Sequence, residues 1–209
     1  MSPKTPRAPR RPLTYETSDL HAYGGPLWRI HATSGDHPTR WDEPRTFGPL
    51  DSRWDPHPPP SGEHPHHGVL YAGTDTTTTF GEIFQRDRII DLVDLDRQLT
   101  GWEPTRDLVL LDLTGTWAVR QDASYALSHA PKSTCRVWAS AIHDQLVVDG
   151  PRLDGLWVDS TITGRPMAVL FGPAEDSFPS APQLSRPLCH DDLVVIVEEA
   201  LDELGYGLC

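Results

Sequence analysis

Proline sets the first limit on what this chain can fold into. Twenty-one of the 209 residues are proline, about twice the usual ~5% of a globular chain, and they fall in clusters. Proline gives no donor to a helix or sheet ladder and restricts the residue before it, so regular elements must fit between the clusters. Pro3, Pro6, Pro9 and Pro12 lie in a segment that also carries Lys4, Arg7, Arg10 and Arg11. Residues 1–20 therefore read as a flexible, basic, proline-rich arm. A second cluster runs from Pro44 to Pro65 and contains PHPPPSGEHPHHG. Residues 55–68 read as one long loop, which inside a domain is usually functional or disordered.

The remainder, residues 21–209, has the length of one domain. Leu27 to His31, Gly68 to Ala72, Leu108 to Leu113, Gly155 to Asp159 and Met167 to Phe171 are short β-rich runs bounded by Gly, Pro or Asp, and are predicted strands. Thr77 to Gln85 and Ser133 to Leu146 show apolar residues at helical spacing. A C-terminal helix is expected over about 191–204, capped by Asp191 or Asp192 and closed by Gly205. Strands and helices alternate without a repeated βαβ period, which predicts an α+β fold.

Composition excludes several classes. The net charge is −12, and because the arm is basic the body is more acidic still. Such a field repels a nucleic-acid backbone, so direct nucleic-acid binding is unexpected beyond weak contact through residues 4–11. The longest apolar runs, Met167 to Phe171 and Leu193 to Val197, are far shorter than the roughly 20 residues that cross a bilayer. The N-terminus lacks the apolar core of a signal peptide, so a cytoplasmic protein is expected, away from membranes. Three cysteines, Cys135, Cys189 and Cys209, in no CxxC spacing support neither a disulfide framework nor a zinc site. His57, His64, His66 and His67 are the densest histidine cluster, but their proline-rich surroundings offer no rigid frame for ligands, so no metal is expected. The threonines of TDTTTT, residues 74–79, are expected to cap the following helix, whose N-terminus could contact phosphate. P-loop, Rossmann, HExxH and GxSxG motifs are all missing.

More informative are polar residues set among apolar ones. Arg29 interrupts a strand, Arg53 sits in DSRWDP, Tyr71 in VLYAG, Glu82 lies between Phe80 and Ile83 on a helix, and Ser160 ends a strand. Singly, each has an ordinary structural explanation as an ion-pair partner, a strand aromatic or a solvated side chain.

Taken in order, LWRIH, SRW, VLYAGTDTTTTFGEIF, CRVWASAIHDQ and LDGLWVDSTITGRPMAVLF resemble the RES-domain family, toxins named for an arginine, a glutamate and a serine. The resemblance covers roughly residues 27–171, and the interval from Tyr71 to Glu82 fits it. It implies an ADP-ribosyltransferase-like mixed sheet core with flanking helices. It also implies NAD as substrate, degraded by hydrolysis with water or phosphorolysis with phosphate, and an Xre-type helix-turn-helix antitoxin as partner, with a homodimer possible. The implied catalytic residues are Glu82, Arg53, Tyr71 and Ser160; the implied substrate-binding residues are Arg29, His31, Arg53 and Tyr71. One relative class instead ADP-ribosylates a protein, and a non-catalytic interaction module on the same fold is the remaining alternative. Two departures stand out. The PHPPPSGEHPHH segment lengthens the link from Arg53 to Tyr71, and Asp55 stands where RWN is usual, an acid expected to weaken anion binding at Arg53.

Overall fold

The computed structural model describes residues 5–148 and 150–209. Strands β1 (Leu20–Tyr23), β2 (Leu27–His31), β3 (Phe47–Gly48), β4 (Gly62–Glu63) and β5 (Val69–Gly73) lead into helix α1 (Thr76–Phe84). Strands β6 (Ile89–Ile90), β7 (Gln98–Trp102) and β8 (Leu108–Asp112) precede helices α2 (Trp117–Arg120) and α3 (Lys132–Ile142). The chain ends with β9 (Gly155–Asp159), β10 (Pro166–Phe171), β11 (Leu184–Pro187), α4 (Val194–Leu204) and β12 (Gly207–Leu208). Eight strands form one sheet in the order β1-β8-β9-β10-β5-β2-β7-β11. β8 and β9 run parallel and the other neighbours antiparallel. The mixed sheet with its helices is the α+β architecture expected.

Alternation along the strands builds the core. Val69 on β5, Leu156 and Val158 on β9, and Met167, Val169 and Phe171 on β10 pack with Cys135, Trp138 and Ile142 of α3. The intervening Leu70, Trp157, Ala168 and Leu170 pack on the opposite face with Leu27 and Trp102. Toward the other edge of the sheet, Ile30 and Leu99 pack with Phe80 and Phe84 of α1 and with Val197 and Ala200 of α4.

β2 and β5 pair at one register position only, Trp28 opposite Gly73. That sparse seam divides the part of the sheet beneath α3 from the part beneath α1 and α4. Gly73 is required there, because a Cβ would come within 2.4 Å of Thr79 Oγ1 and 2.9 Å of the Asp75 carbonyl. α1 thus starts almost on top of the strand that feeds it.

Several local expectations are corrected. Asp75, not a threonine, caps α1, its carboxylate accepting from the Thr78 amide at 2.8 Å and the Thr78 hydroxyl at 2.7 Å. An acid there, with Arg165 paired to it at 3.1 Å, takes the place offered to phosphate. His190, rather than Asp191 or Asp192, accepts the Asp192 amide in the turn before α4, while Gly205 closes α4 at φ 64° as expected. From Thr5 onward the arm lies docked on the body. Trp138 Nε1 donates to the Pro6 carbonyl at 3.0 Å and Trp117 Nε1 to the Thr14 carbonyl at 2.9 Å, with Leu13 buried between helices. Residues 1–4 of the arm lie outside the described residues. The proline- and histidine-rich loop is only partly solvated: Trp54, Asp55, Pro56 and His57 are buried, and β4 within it pairs with β3. Among the described residues no helix is long and apolar enough to cross a membrane.

Candidate functional site

A cleft opens over the β2/β5 seam as two adjoining cavities of about 210 Å³ and 230 Å³, each smaller than the ~300–1,000 Å³ typical of ligand sites but together of that order. Tyr71, Glu82, Ile83 and Met167 line both and form the wall between them. The first cavity adds Arg29 and Arg45 over an apolar floor that includes Trp28, Leu70 and Ala72. The second adds Arg53, Trp54, Gln85, Lys132 and Asp159. Strand alternation sets Tyr71 opposite Val169 and on the same face as Met167, so β5 and β10 together build the wall. α1 hangs Glu82 over it, because Phe80 and Phe84 turn into the core and leave the intervening residue at the cleft.

Glu82 is held by a defined network. Ser160 Oγ lies 2.6 Å from Glu82 Oε1. The same hydroxyl oxygen accepts from the Ile162 amide at 3.1 Å and the Thr163 amide at 3.2 Å. With its lone pairs taken by the turn, its one proton points at the carboxylate. The turn that provides those amides is the β9–β10 connection, pinned by Ser160 N to the Arg165 carbonyl at 2.8 Å and Gly164 N to the Ser160 carbonyl at 2.9 Å. Gln85, one helical turn on, donates to Oε2 of Glu82 at 3.3 Å. Ser160 is buried (1% exposed) and lines neither cavity, so its hydroxyl meets the cleft only through Glu82.

The Tyr71 hydroxyl accepts from the Trp54 amide at 3.0 Å. Burial, reinforced by Asp55, pushes its pKa far above the usual value, so the phenol stays neutral. Arg53 reaches toward α3, where Nη1 donates to the Ala130 carbonyl and lies 3.5 Å from Cys135 Sγ. Arg29 Nη1 donates to the carbonyls of Arg40, Trp41 and Glu43 at 2.9–3.0 Å. Burial lowers its pKa to about 10, which leaves it cationic at neutral pH. Carbonyl partners position these guanidinium groups without cancelling their charge.

Two sequence expectations are corrected here. His31 does not line the cleft; its ring is committed to the Thr39 carbonyl at 2.9 Å and Thr100 Oγ1 at 3.1 Å inside the fold. Asp55 does not oppose Arg53. It is fully buried, and its carboxylate receives Arg45 Nη2 and the Leu50 amide at 2.8 Å each, together with the His57 ring. Burial alone would raise its pKa, but these partners hold it well below the usual carboxylate range. Arg45 and Gln85 are cleft residues that sequence reading missed. Gln85 sits at i+3 from Glu82 and was accessible from helical spacing; Arg45 carried no comparable signal.

The site defines an α+β protein with a cleft over a sheet seam and a single carboxylate fixed on the cleft's dividing wall. The RES domain model matches residues 26–190, and the chain belongs to that family. Its fold is similar to one in the crystal structure of the M. tuberculosis MbcT–MbcA toxin–antitoxin complex, with a TM-score of 0.53 and 15% identity over 80% of this chain and 85% of that one. A comparison with curated proteins found no match.

Proposed function

We propose that this chain consumes NAD in the cleft by cleaving the bond between nicotinamide and ribose. The nicotinamide nitrogen is cationic in NAD and departs neutral, taking the bonding electron pair. The ribose carbon becomes oxocarbenium-like and is captured by water, giving ADP-ribose, or by phosphate, giving its 1″-phosphate, with the attacking oxygen's proton released to solvent. Because the leaving group needs no protonation, the two-carboxylate arrangement of ordinary glycosidases is unnecessary.

The observation that carries this reading is the Ser160–Glu82 hydrogen bond at 2.6 Å beside Tyr71. Glu82 hydrogen-bonds the ribose and stabilises the positive charge as it develops, an interaction stronger in the transition state than in the ground state. Tyr71, neutral and held by Trp54, stacks on the nicotinamide and keeps water from that face. Arg53 takes the pyrophosphate with its planar guanidinium group on one side of the wall, and Arg29 offers a second guanidinium on the other. We further place the chain as the toxin of a pair, neutralised by an antitoxin with an Xre-type helix-turn-helix.

The test is product analysis by mass after incubating the purified protein with NAD, with and without phosphate. Free nicotinamide is expected, and Glu82→Gln should slow its release by about a hundredfold to a thousandfold while the protein still melts cooperatively. No nicotinamide under either condition overturns the reading. Label transferred from NAD to protein would move the acceptor to a side chain. Induction without a partner should arrest growth and deplete NAD.

A further inference from the structure

Away from the cleft, the histidine-rich loop meets the end of α3, which continues as a π-helical turn over His143–Val148. Asp144 Oδ1 lies 3.5 Å from His67 Nε2 and 3.5 Å from His143 Nδ1, and all three donor atoms lie within 4.8 Å of one another. The two 3.5 Å separations from Asp144 are longer than the ~2.7–3.2 Å of an N–H···O hydrogen bond. They are close to the roughly 3.3 Å between neighbouring donors on a tetrahedral zinc ion with ligands at ~2.0–2.1 Å.

Two independent observations point into the same space. His143 is 2% exposed, and its Nδ1 has no hydrogen-bond partner, a costly state for a buried polar atom. His57, its ring centroid 6.3 Å from that of His67, repeats the pattern: its Nδ1 is held by buried Asp55, and its buried Nε2 lacks a partner.

We propose that His67 Nε2, His143 Nδ1 and the Asp144 carboxylate form a binding site for a zinc-class divalent transition-metal ion that ties the proline- and histidine-rich loop to the end of α3. The remaining coordination position is open to water or to His57. Imidazole nitrogens with one carboxylate select zinc, cobalt or nickel over magnesium or calcium, which prefer all-oxygen shells. The frame that the loop's prolines cannot provide comes from the helix, where His143 is packed edge-on against Phe171.

The test uses the full chain, stripped with chelator and titrated with Zn²⁺ or Co²⁺. One tight equivalent, a Co²⁺ visible spectrum of tetrahedral intensity, and a melting temperature raised by about 5 °C or more at saturating metal are expected. His67→Gln with Asp144→Asn should weaken that equivalent at least tenfold and remove the spectrum. Asp144 is 58% exposed, so Asp144→Asn alone provides a variant that keeps the fold, checked by its metal-free melt, and it should also weaken binding. No metal retained by the wild-type chain, or equal retention by wild type and both variants as exposed histidines would give, overturns the proposal.

Discussion

Ser160→Ala separates positioning from binding at the proposed site. The substitution removes one hydroxyl that makes three hydrogen bonds, to Glu82 Oε1 at 2.6 Å and from the Ile162 and Thr163 amides at 3.1 and 3.2 Å. A hydrogen bond to an ionised acceptor contributes about 1.5–3 kcal/mol, and at ~1.36 kcal/mol per tenfold its loss should lower kcat by about 10- to 150-fold. KM for NAD should stay within about twofold, because Ser160 lines neither cavity. The two orphaned amides cost about 1–3 kcal/mol each, or roughly 4–24 °C in melting temperature for a chain of this size. The assay is nicotinamide release under steady-state conditions at a temperature where both proteins are folded. The decisive comparison is a double-mutant cycle: with Glu82→Gln already present, Ser160→Ala should cost almost nothing further in rate, because the two act as a unit. Independent, additive losses, or an unchanged kcat with a lowered melting temperature, would show that the serine is only part of the turn.

Deleting residues 1–15 strands the indole nitrogens of Trp117 and Trp138 and removes buried Leu13. The loss, about 4–9 kcal/mol, rivals the whole stability of a domain, so the truncated chain should be largely unfolded by circular dichroism; an unchanged melt would refute the docked arm. Asp159 has its pKa raised by burial first and by Asp112 second. The folded state therefore holds that proton more tightly than the unfolded one, and ionisation opposes folding as pH rises through the folded pKa. Asp159→Asn should accordingly melt higher at pH 7, with the gain vanishing below about pH 4; an equal gain at pH 3 would be the wrong outcome. Arg45→Ala leaves fully buried Asp55 without its guanidinium and should cost about 3–5 kcal/mol in a denaturant melt, most of it recovered in Arg45→Ala with Asp55→Asn. If the double variant is no more stable than the single, the pair is not the anchor described.

What could be read in advance follows from burial. β2 and β9 fall at their predicted limits, and β5, β8 and β10 within one residue at each end, because both faces of these strands are packed and their sequences are mostly apolar. β1, β7 and β11 were missed for the opposite reason. LHAY, QLTGW and LSRP mix His21, Gln98, Thr100 and Pro187 into short segments, and β1 and β11 are the sheet's edges, where proline and polar residues are tolerated. At the site, Tyr71, Glu82 and Ser160 were legible from their order along the chain. The direction of Ser160 was not, since it depends on which amides fill its lone pairs. Asp55 misled because two residues of separation from Arg53 say nothing of where each side chain turns: one reaches α3 and the other enters a buried pair with Arg45. His143 and Asp144 lie too far in sequence from HPHH for any local pattern to join them.

The inserted loop is therefore tied to the cleft at its root rather than hung beside it. Arg53 reaches the Ala130 carbonyl, Trp54 gives its amide to Tyr71, and Asp55 pairs with Arg45. Three consecutive residues thus clamp α3, the dividing wall and the first cavity. Arg45 gains a fixed place but has its charge cancelled by a carboxylate, whereas Arg53 and Arg29 are fixed by carbonyls and keep theirs. On the proposed reading, that difference in partner, not proximity to the cleft, sets Arg53 and Arg29 apart from Arg45 as anion-binding groups. The charge of Asp55 is spent on Arg45, the Leu50 amide and the His57 ring, so it does not face Arg53.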